Sequence, residues 1–369
     1  MTGLAMDKMP AGALESRAES GDTDAQLQLA LRCDIEGQGA RAIAWMRRAA
    51  EAGDIRGKTL LAMRLVTFKP LDIQEGVKWA REAASAGSAD AIRVLSLLTA
   101  EGLGVPQSWP GALQLMGRAA ELGHRRAQAE LAAMCGDWRL AREIAQGRIL
   151  PQEQCRYLGG SINLSALLKV PDVQFASAAP RIALVGKFLS PEICDWIIDA
   201  ARPSLQPAQV VDNQTGAAHA ASIRDNSETS MEAGGSDLIF ALVRARIAAL
   251  TGLPISGFEM ASTLRYQTGQ RFLPHFDFLD KNLPGHAEDF ARRGQRVATF
   301  LVYLNEEYEG GETAFPVIKT RYRGRKGDAL LFWNVTADGA PDRNTWHAGL
   351  PPTRGEKWLL SQWIRLRPA

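Results

Sequence analysis

The residues best equipped for chemistry lie in RYQTGQRFLPHFDFLD, 265–280, and in TWHAG, 345–349. His275 and Asp277 stand two positions apart in an apolar, aromatic-rich segment. Side chains alternate faces along a strand, so this spacing points both to one side. His347, far downstream, could close the set as a third ligand. Two imidazoles and a carboxylate with other positions open suit non-haem Fe(II), and zinc accepts the same atoms. An isolated H-x-D is more often core or surface polarity, so its surroundings must carry the reading. The cysteines Cys33, Cys135, Cys155 and Cys194 are scattered, with no C-x-x-C spacing for zinc or redox work. They read as reduced thiols of a cytoplasmic protein, a location that also suits ferrous iron.

The 369 residues allow two domains of ordinary size, and 46% hydrophobic with 23% charged residues describes folded protein rather than disorder. A net charge of +2 argues for neither nucleic acid nor an anionic membrane as partner. No run has the length of a membrane-spanning helix, and the first twenty residues lack the basic-then-apolar pattern of a secretory signal.

Residues 1–20 are small and polar and are expected to fray. Beyond them the chain repeats itself. RRAAEAGD (47–54), REAASAGS (81–88) and GRAAELGH (117–124) align, ESGD (19–22) is a degenerate earlier copy, and Gly53, Gly87 and Gly123 follow at intervals of 34 and 36 residues. That period belongs to a helix–turn–helix unit stacked into a solenoid. The spacing and the AA-x-x-G turn resemble Sel1-like repeats, relatives of the tetratricopeptide repeat, over about residues 20–135. Trp45, Trp79 and Trp109 fall near matching positions and read as core, and His124 as solvent-facing. The repeat domain is expected over 21–150 and a junction over 151–184, where ASAAP has linker character.

From 185 to 369 the pattern changes to two helices, 191–205 and 234–252, followed by short strands at 258–267, 272–279, 296–305, 327–335 and 357–366. Helices followed by many turn-separated strands predict a double-sheet barrel with helices on one outer face.

The ordered blocks Y-x-x-G-Q-x-x-x-x-H-x-D, R-V-A-T-F-L-V-Y-L-N, E-G-G-E-T-x-F-P, G-D-A-L-L-F-W-N and H-A-G-x-P-x-x-x-G-x-K-W resemble the prolyl 4-hydroxylase group of 2-oxoglutarate/Fe(II) dioxygenases over roughly 185–367. The resemblance implies a double-stranded β-helix (jelly roll) with flanking helices. It implies His275, Asp277 and His347 as the iron ligands and Lys357 as partner of the distal carboxylate of 2-oxoglutarate. Tyr266 would give that carboxylate a second hydrogen bond, and Thr299 would line the cosubstrate pocket. A buried dicarboxylate requires such pairing. Arg224, in AASIRDNSETS with Asp225, Asn226 and Ser227, matches an arginine near the family's substrate entrance. Trp333 and Trp346 read as core first and as walls of the substrate pocket second, and Trp363 as core. Loop 280–295, with Arg292 and Arg293, is a candidate rim, as is 220–235. Glu312 and Thr313 read as structural, and His219 and His286 as structural or solvent-exposed.

The implied activity uses Fe(II), 2-oxoglutarate and O2, with ascorbate as a further expected cofactor. It couples decarboxylation of 2-oxoglutarate to succinate with hydroxylation of an unactivated C–H bond. Proline in a polypeptide gripped through the repeats is the expected substrate. A free amino acid or small metabolite is the alternative, with the repeats as structural support. A third possibility is a repeat-based scaffold or oxygen sensor with little or no turnover.

Overall fold

A computed structural model describes residues 11–68, 71–211, 218–219, 223–230 and 237–366. The chain falls into two compact units, with the final break between Leu164 and Ser165.

The first unit is a stack of helical hairpins. Ala11–Glu19 pairs with Thr23–Ile35, Gly39–Glu51 with Ile55–Thr67, Ile73–Ser85 with Ala89–Glu101, and Trp109–Glu121 with Arg125–Met134. Each hairpin turns on a glycine in the left-handed region, Gly21, Gly53, Gly87 or Gly123. The next residue caps the following helix: Asp22, Asp54, Ser88 and His124 all accept a backbone N–H of its first turn. These are the helix–turn–helix repeats expected from the 34–36-residue period. His124 is therefore not merely solvent-facing, for its Nδ1 caps a helix and its Nε2 lies 3.2 Å from Asp90. Small residues let the helices close: a Cβ on Gly57 would sit 2.8 Å from that of Ala49. Ala11–Glu19 is helical where fraying was expected, because Leu14 and Ala18 are fully buried. Two further helices, Trp138–Ala145 and Gln152–Ser161, follow. Gln128 bonds both the N–H and the carbonyl of Leu150, tying the connection between them to the stack.

The second unit is the jelly roll. An eight-stranded antiparallel sheet runs Gln174–Ala178, Arg181–Val185, Ala329–Trp333, Gln295–Tyr303, Lys357–Leu366, Ser262–Tyr266, Ser227–Ser230 and Gln206–Pro207. A four-stranded sheet runs Thr320–Tyr322, Thr313–Phe315, His347–Gly349 and Phe272–His275. Segment ASAAP proves to be part of the first hairpin rather than a linker. The helices expected at 191–205 and 234–252 are Pro191–Ala201 and Leu238–Thr251, capped by Ser190 and Asp237. Strand alternation sends Thr299, Leu301 and Tyr303 to one face of their strand and Phe300, packed on Phe188, to the other. The inward set, with Leu264, Tyr266, Leu330, Phe332, Phe315 and Leu359, makes a core that ends at the site described next.

Candidate active site

His275 and His347 face each other as a cross-strand pair of the smaller sheet. Asp277 lies just beyond the end of the first strand, in a bend, rather than within a strand reaching 279 as expected. The chain leaves the sheet there because Gln295 captures both the N–H and the carbonyl of Leu279. Alternation survives locally: Phe276 and Phe278 stack on each other at 4.5 Å, and Phe276 also packs on Trp346 at 4.5 Å.

One donor atom from each of His275, Asp277 and His347 falls within 4.8 Å of the others. Asp277 Oδ1 is 3.4 Å from His275 Nε2, and Oδ2 is 3.6 Å from His347 Nε2. Each imidazole uses Nδ1 against a backbone carbonyl, His275 on Leu273 at 2.8 Å and His347 on Thr345 at 2.9 Å. A carbonyl only accepts, so Nδ1 carries the proton and Nε2 presents its lone pair to the cluster. Rings hold the imidazoles in place: Phe272 lies flat on His275 at 3.6 Å, and Phe332 meets His347 edge-on at 4.7 Å.

The charge states match the geometry. Burial pushes His347 down to about 4, with His275 beside it adding to the effect, so the ring is neutral at pH 7. Burial works to raise Asp277. The two histidines and the Thr299 hydroxyl, which donates to Oδ2 at 2.7 Å, overcome it and hold the carboxyl well below its usual range. A neutral His347 and an ionised Asp277 are states in which these groups bind a divalent metal, and the two imidazoles and one carboxylate fit Fe(II).

The same cavity is lined by Lys357 and Tyr266, cross-strand partners at the ends of their strands. Lys357 is fully buried, and its Nζ donates to the Gly311 carbonyl at 2.6 Å. Gly311 has positive φ, and a Cβ there would stand 3.3 Å from Lys357 Cδ, so the turn needs glycine to bring that carbonyl in. Nζ also lies over the rings of Tyr266 and Tyr303, 5.4 and 5.7 Å from their centroids. Burial drives Lys357 down to about 7, against the weaker opposing pull of Glu312, and lifts Tyr266 to about 12. A cation held in such a place is matched to an anion that enters the cavity. That is an observation in favour of a dicarboxylate cosubstrate.

Arg224 also lines the cavity, over Phe272 at 4.9 Å, with its guanidinium bonded to Asn226 and to Glu228. Within the 220–235 loop, 220–222 and 231–235 lie outside the described residues, as does the His219 side chain. The 280–295 segment forms the helix Pro284–Arg293, and His286 Nδ1 accepts the Asp280 N–H.

Three residues are placed differently from expectation. Thr299 gives its hydroxyl to Asp277 and receives Asn334 Nδ2 at 3.0 Å, so it orients the carboxylate instead of lining the cosubstrate space. Trp333 faces away from the cavity, stacked beside Phe175 with the Arg181 guanidinium 3.7 Å over its ring. Its neighbour Phe332 takes the inward face, and a strand cannot point both inward. Trp363, read as core, instead forms part of the cavity wall with Arg296 stacked on it at 3.7 Å. Tyr303 and Asn334 were not singled out from sequence. The first shares the face of Thr299 at a spacing of four, and the second follows the inward Phe332 by two, so strand parity was the available signal.

Residues 261–365 match the model of the 2OG-Fe(II) oxygenase superfamily. The chain is 32% identical over 215 residues to probable prolyl 4-hydroxylase 10 of Arabidopsis thaliana, covering 53% of this chain and 72% of that protein. It is 34% identical over 215 residues to prolyl 4-hydroxylase 1 of the same plant, covering 54% and 74%. Among solved structures, the viral collagen prolyl hydroxylase of Paramecium Bursaria Chlorella virus-1 aligns at 28% identity and a TM-score of 0.39, covering 50% of this chain and 94% of that one. A Sel1 repeat protein from Oxalobacter formigenes aligns at 30% identity and a TM-score of 0.28, covering 31% and 92%. With extended identity to two plant prolyl 4-hydroxylases and a His–Asp–His cluster inside the matched segment, the chain belongs to the prolyl 4-hydroxylase family of 2OG-Fe(II) oxygenases.

Proposed function

We propose that this protein hydroxylates proline in a polypeptide, using Fe(II), 2-oxoglutarate and O2 and releasing succinate. The observation that carries the reading is the pairing, in one cavity, of the His275–Asp277–His347 donor cluster with the fully buried Lys357. The names of the plant and viral relatives support proline as the residue and polypeptide as its context.

In this reading His275, Asp277 and His347 hold the metal. When bound, iron and 2-oxoglutarate supply the oxidising chemistry. The chain supplies position. Lys357 and Tyr266 receive the distal carboxylate and set the depth of the cosubstrate. Phe272, Phe315 and Phe332 close apolar surface around the histidines and keep water away. Arg224, held by Glu228, stands on the cavity wall as the group that meets substrate. The helical repeats offer the protein-facing surface, and ascorbate would be a further cofactor. The reading places the protein in the cytoplasm. The four scattered cysteines, read as reduced thiols, support this, and denaturing alkylation of protein from its own cells should count four thiols.

The test is mass spectrometry of cell extract incubated with enzyme, Fe(II) and 2-oxoglutarate. A gain of one oxygen on proline in the protein fraction is expected, and Asp277→Ala should abolish it. Oxygen gained only in the small-molecule fraction would replace the polypeptide with a metabolite. No gain in either fraction, with no succinate released, would favour a scaffold or sensor.

A further inference from the structure

We infer that Asn334 is a positioning residue for the Asp277 carboxylate, acting through Thr299; this deepens the reading of Asp277 as a metal ligand and rests on it. Thr299 Oγ1 lies 2.7 Å from Asp277 Oδ2, and Asn334 Nδ2 lies 3.0 Å from the same Oγ1. An amide nitrogen can only donate, and a hydroxyl has one proton to give. Asn334 therefore fills a lone pair of Thr299 and leaves its proton directed at the carboxylate. The opposite amide orientation would draw that proton to Asn334 Oδ1 and set a hydroxyl lone pair against an ionised oxygen. The direction Asn334 to Thr299 to Asp277 follows from what these atoms can do.

The backbone holds Asn334 for this task. Its N–H donates to the Val297 carbonyl at 2.9 Å, and its own carbonyl accepts the Asp342 N–H at 3.0 Å. The residue is fully buried, and Oδ1 has no hydrogen-bond partner among the described residues. For packing alone, an apolar side chain of the same shape would serve better, because it leaves no acceptor stranded. What the amide adds is the donor to Thr299. The carboxylate it orients stands between the two histidines, so a rotation there would spoil the facing of all three donor atoms. Groups behind metal ligands commonly have this role.

The experiment is titration of the full chain with Co(II), followed by its visible absorption, in parallel with thermal unfolding. Asn334→Leu should bind Co(II) about tenfold more weakly, with an altered absorption envelope, while its unfolding midpoint stays level or rises. Thr299→Val should weaken binding similarly, Thr299→Ser should restore it, and the Asn334→Leu/Thr299→Val pair should be no weaker than Thr299→Val alone. Asn334→Asp keeps the shape and exchanges donor for acceptor, so it should also bind more weakly even if the leucine variant does not fold. Affinity for Co(II) within about twofold of the unmodified chain in both Asn334 variants, or full additivity with Thr299→Val, would overturn the inference. Failure of the unmodified chain to bind Co(II) would overturn the metal reading itself, and is a different result from indifference to Asn334.

Discussion

Replacing Lys357 by methionine keeps the length of the side chain and removes its charge, and the structure predicts opposite effects on stability and on cosubstrate binding. Lys357 is fully buried, and burial brings its amine from 10.5 to about 7. That drop corresponds to roughly 4–5 kcal/mol against the buried ammonium. Methionine removes this penalty together with the hydrogen bond to Gly311, worth about 1.5–3 kcal/mol for a charged donor. The free protein should therefore gain on the order of 2 kcal/mol. With 2-oxoglutarate bound the sign reverses, because the distal carboxylate would be buried without its cation. Breaking such a pair costs about 3–5 kcal/mol, or roughly two to four orders of magnitude in affinity. Urea unfolding reads the first effect. Calorimetric titration of the Mn(II)-loaded protein with 2-oxoglutarate reads the second. Affinity within about threefold of wild type, or a loss of stability beyond about 2 kcal/mol, would refute the reasoning.

Three further outcomes are expected. Because the folded-state pKa of Lys357 is lowered to about 7, the ammonium form of the free protein is lost as pH rises through that value. Binding a carboxylate there must then take up a proton, so 2-oxoglutarate affinity should be flat in acid and fall up to about tenfold per pH unit above about 7. Titrations in buffers of different ionisation enthalpy check the uptake, and a pH-independent affinity would contradict it. Trp333→Ala should leave Co(II) and 2-oxoglutarate affinity unchanged and cost about 1–2 kcal/mol through lost packing on Arg181 and Phe175. A clear loss of cosubstrate affinity would return Trp333 to the site. In the repeats, Glu130 is fully buried and accepts Arg93 Nε and Nη2 at 2.9 and 2.7 Å. Glu130→Ala should cost about 3 kcal/mol in chemical unfolding, and a cost below about 1 kcal/mol would show the pair to be dispensable.

Much of the fold was legible because its signals are local. The glycine–cap turns recur at one spacing, and a left-handed residue followed by an N-cap is a local requirement of a hairpin of helices. Ala11–Glu19 was missed because its helicity depends on burying Leu14 and Ala18 against the next helix, which no local pattern reveals. ASAAP was misread because a turn between paired strands and a linker share a composition. The 272–279 strand ended early because Gln295, distant in sequence, takes the hydrogen bonds that Leu279 would have given a neighbour.

By itself the sequence determined the chemistry on offer: His275, Asp277, His347, Lys357 and Tyr266, in an order and setting that resemble one family. Their types and their strand parity are local properties of the chain, so they could be read without coordinates. Tertiary structure decided the rest. Pairing across strands sets His275 opposite His347 and Tyr266 opposite Lys357, which gathers residues from four stretches of chain into one cavity. It also assigned Thr299 and Asn334 to the support of Asp277 and turned Trp333 outward. A hydrogen bond between residues 22 or 35 positions apart, or the face a side chain shows to its cavity, exists only once the sheets have closed.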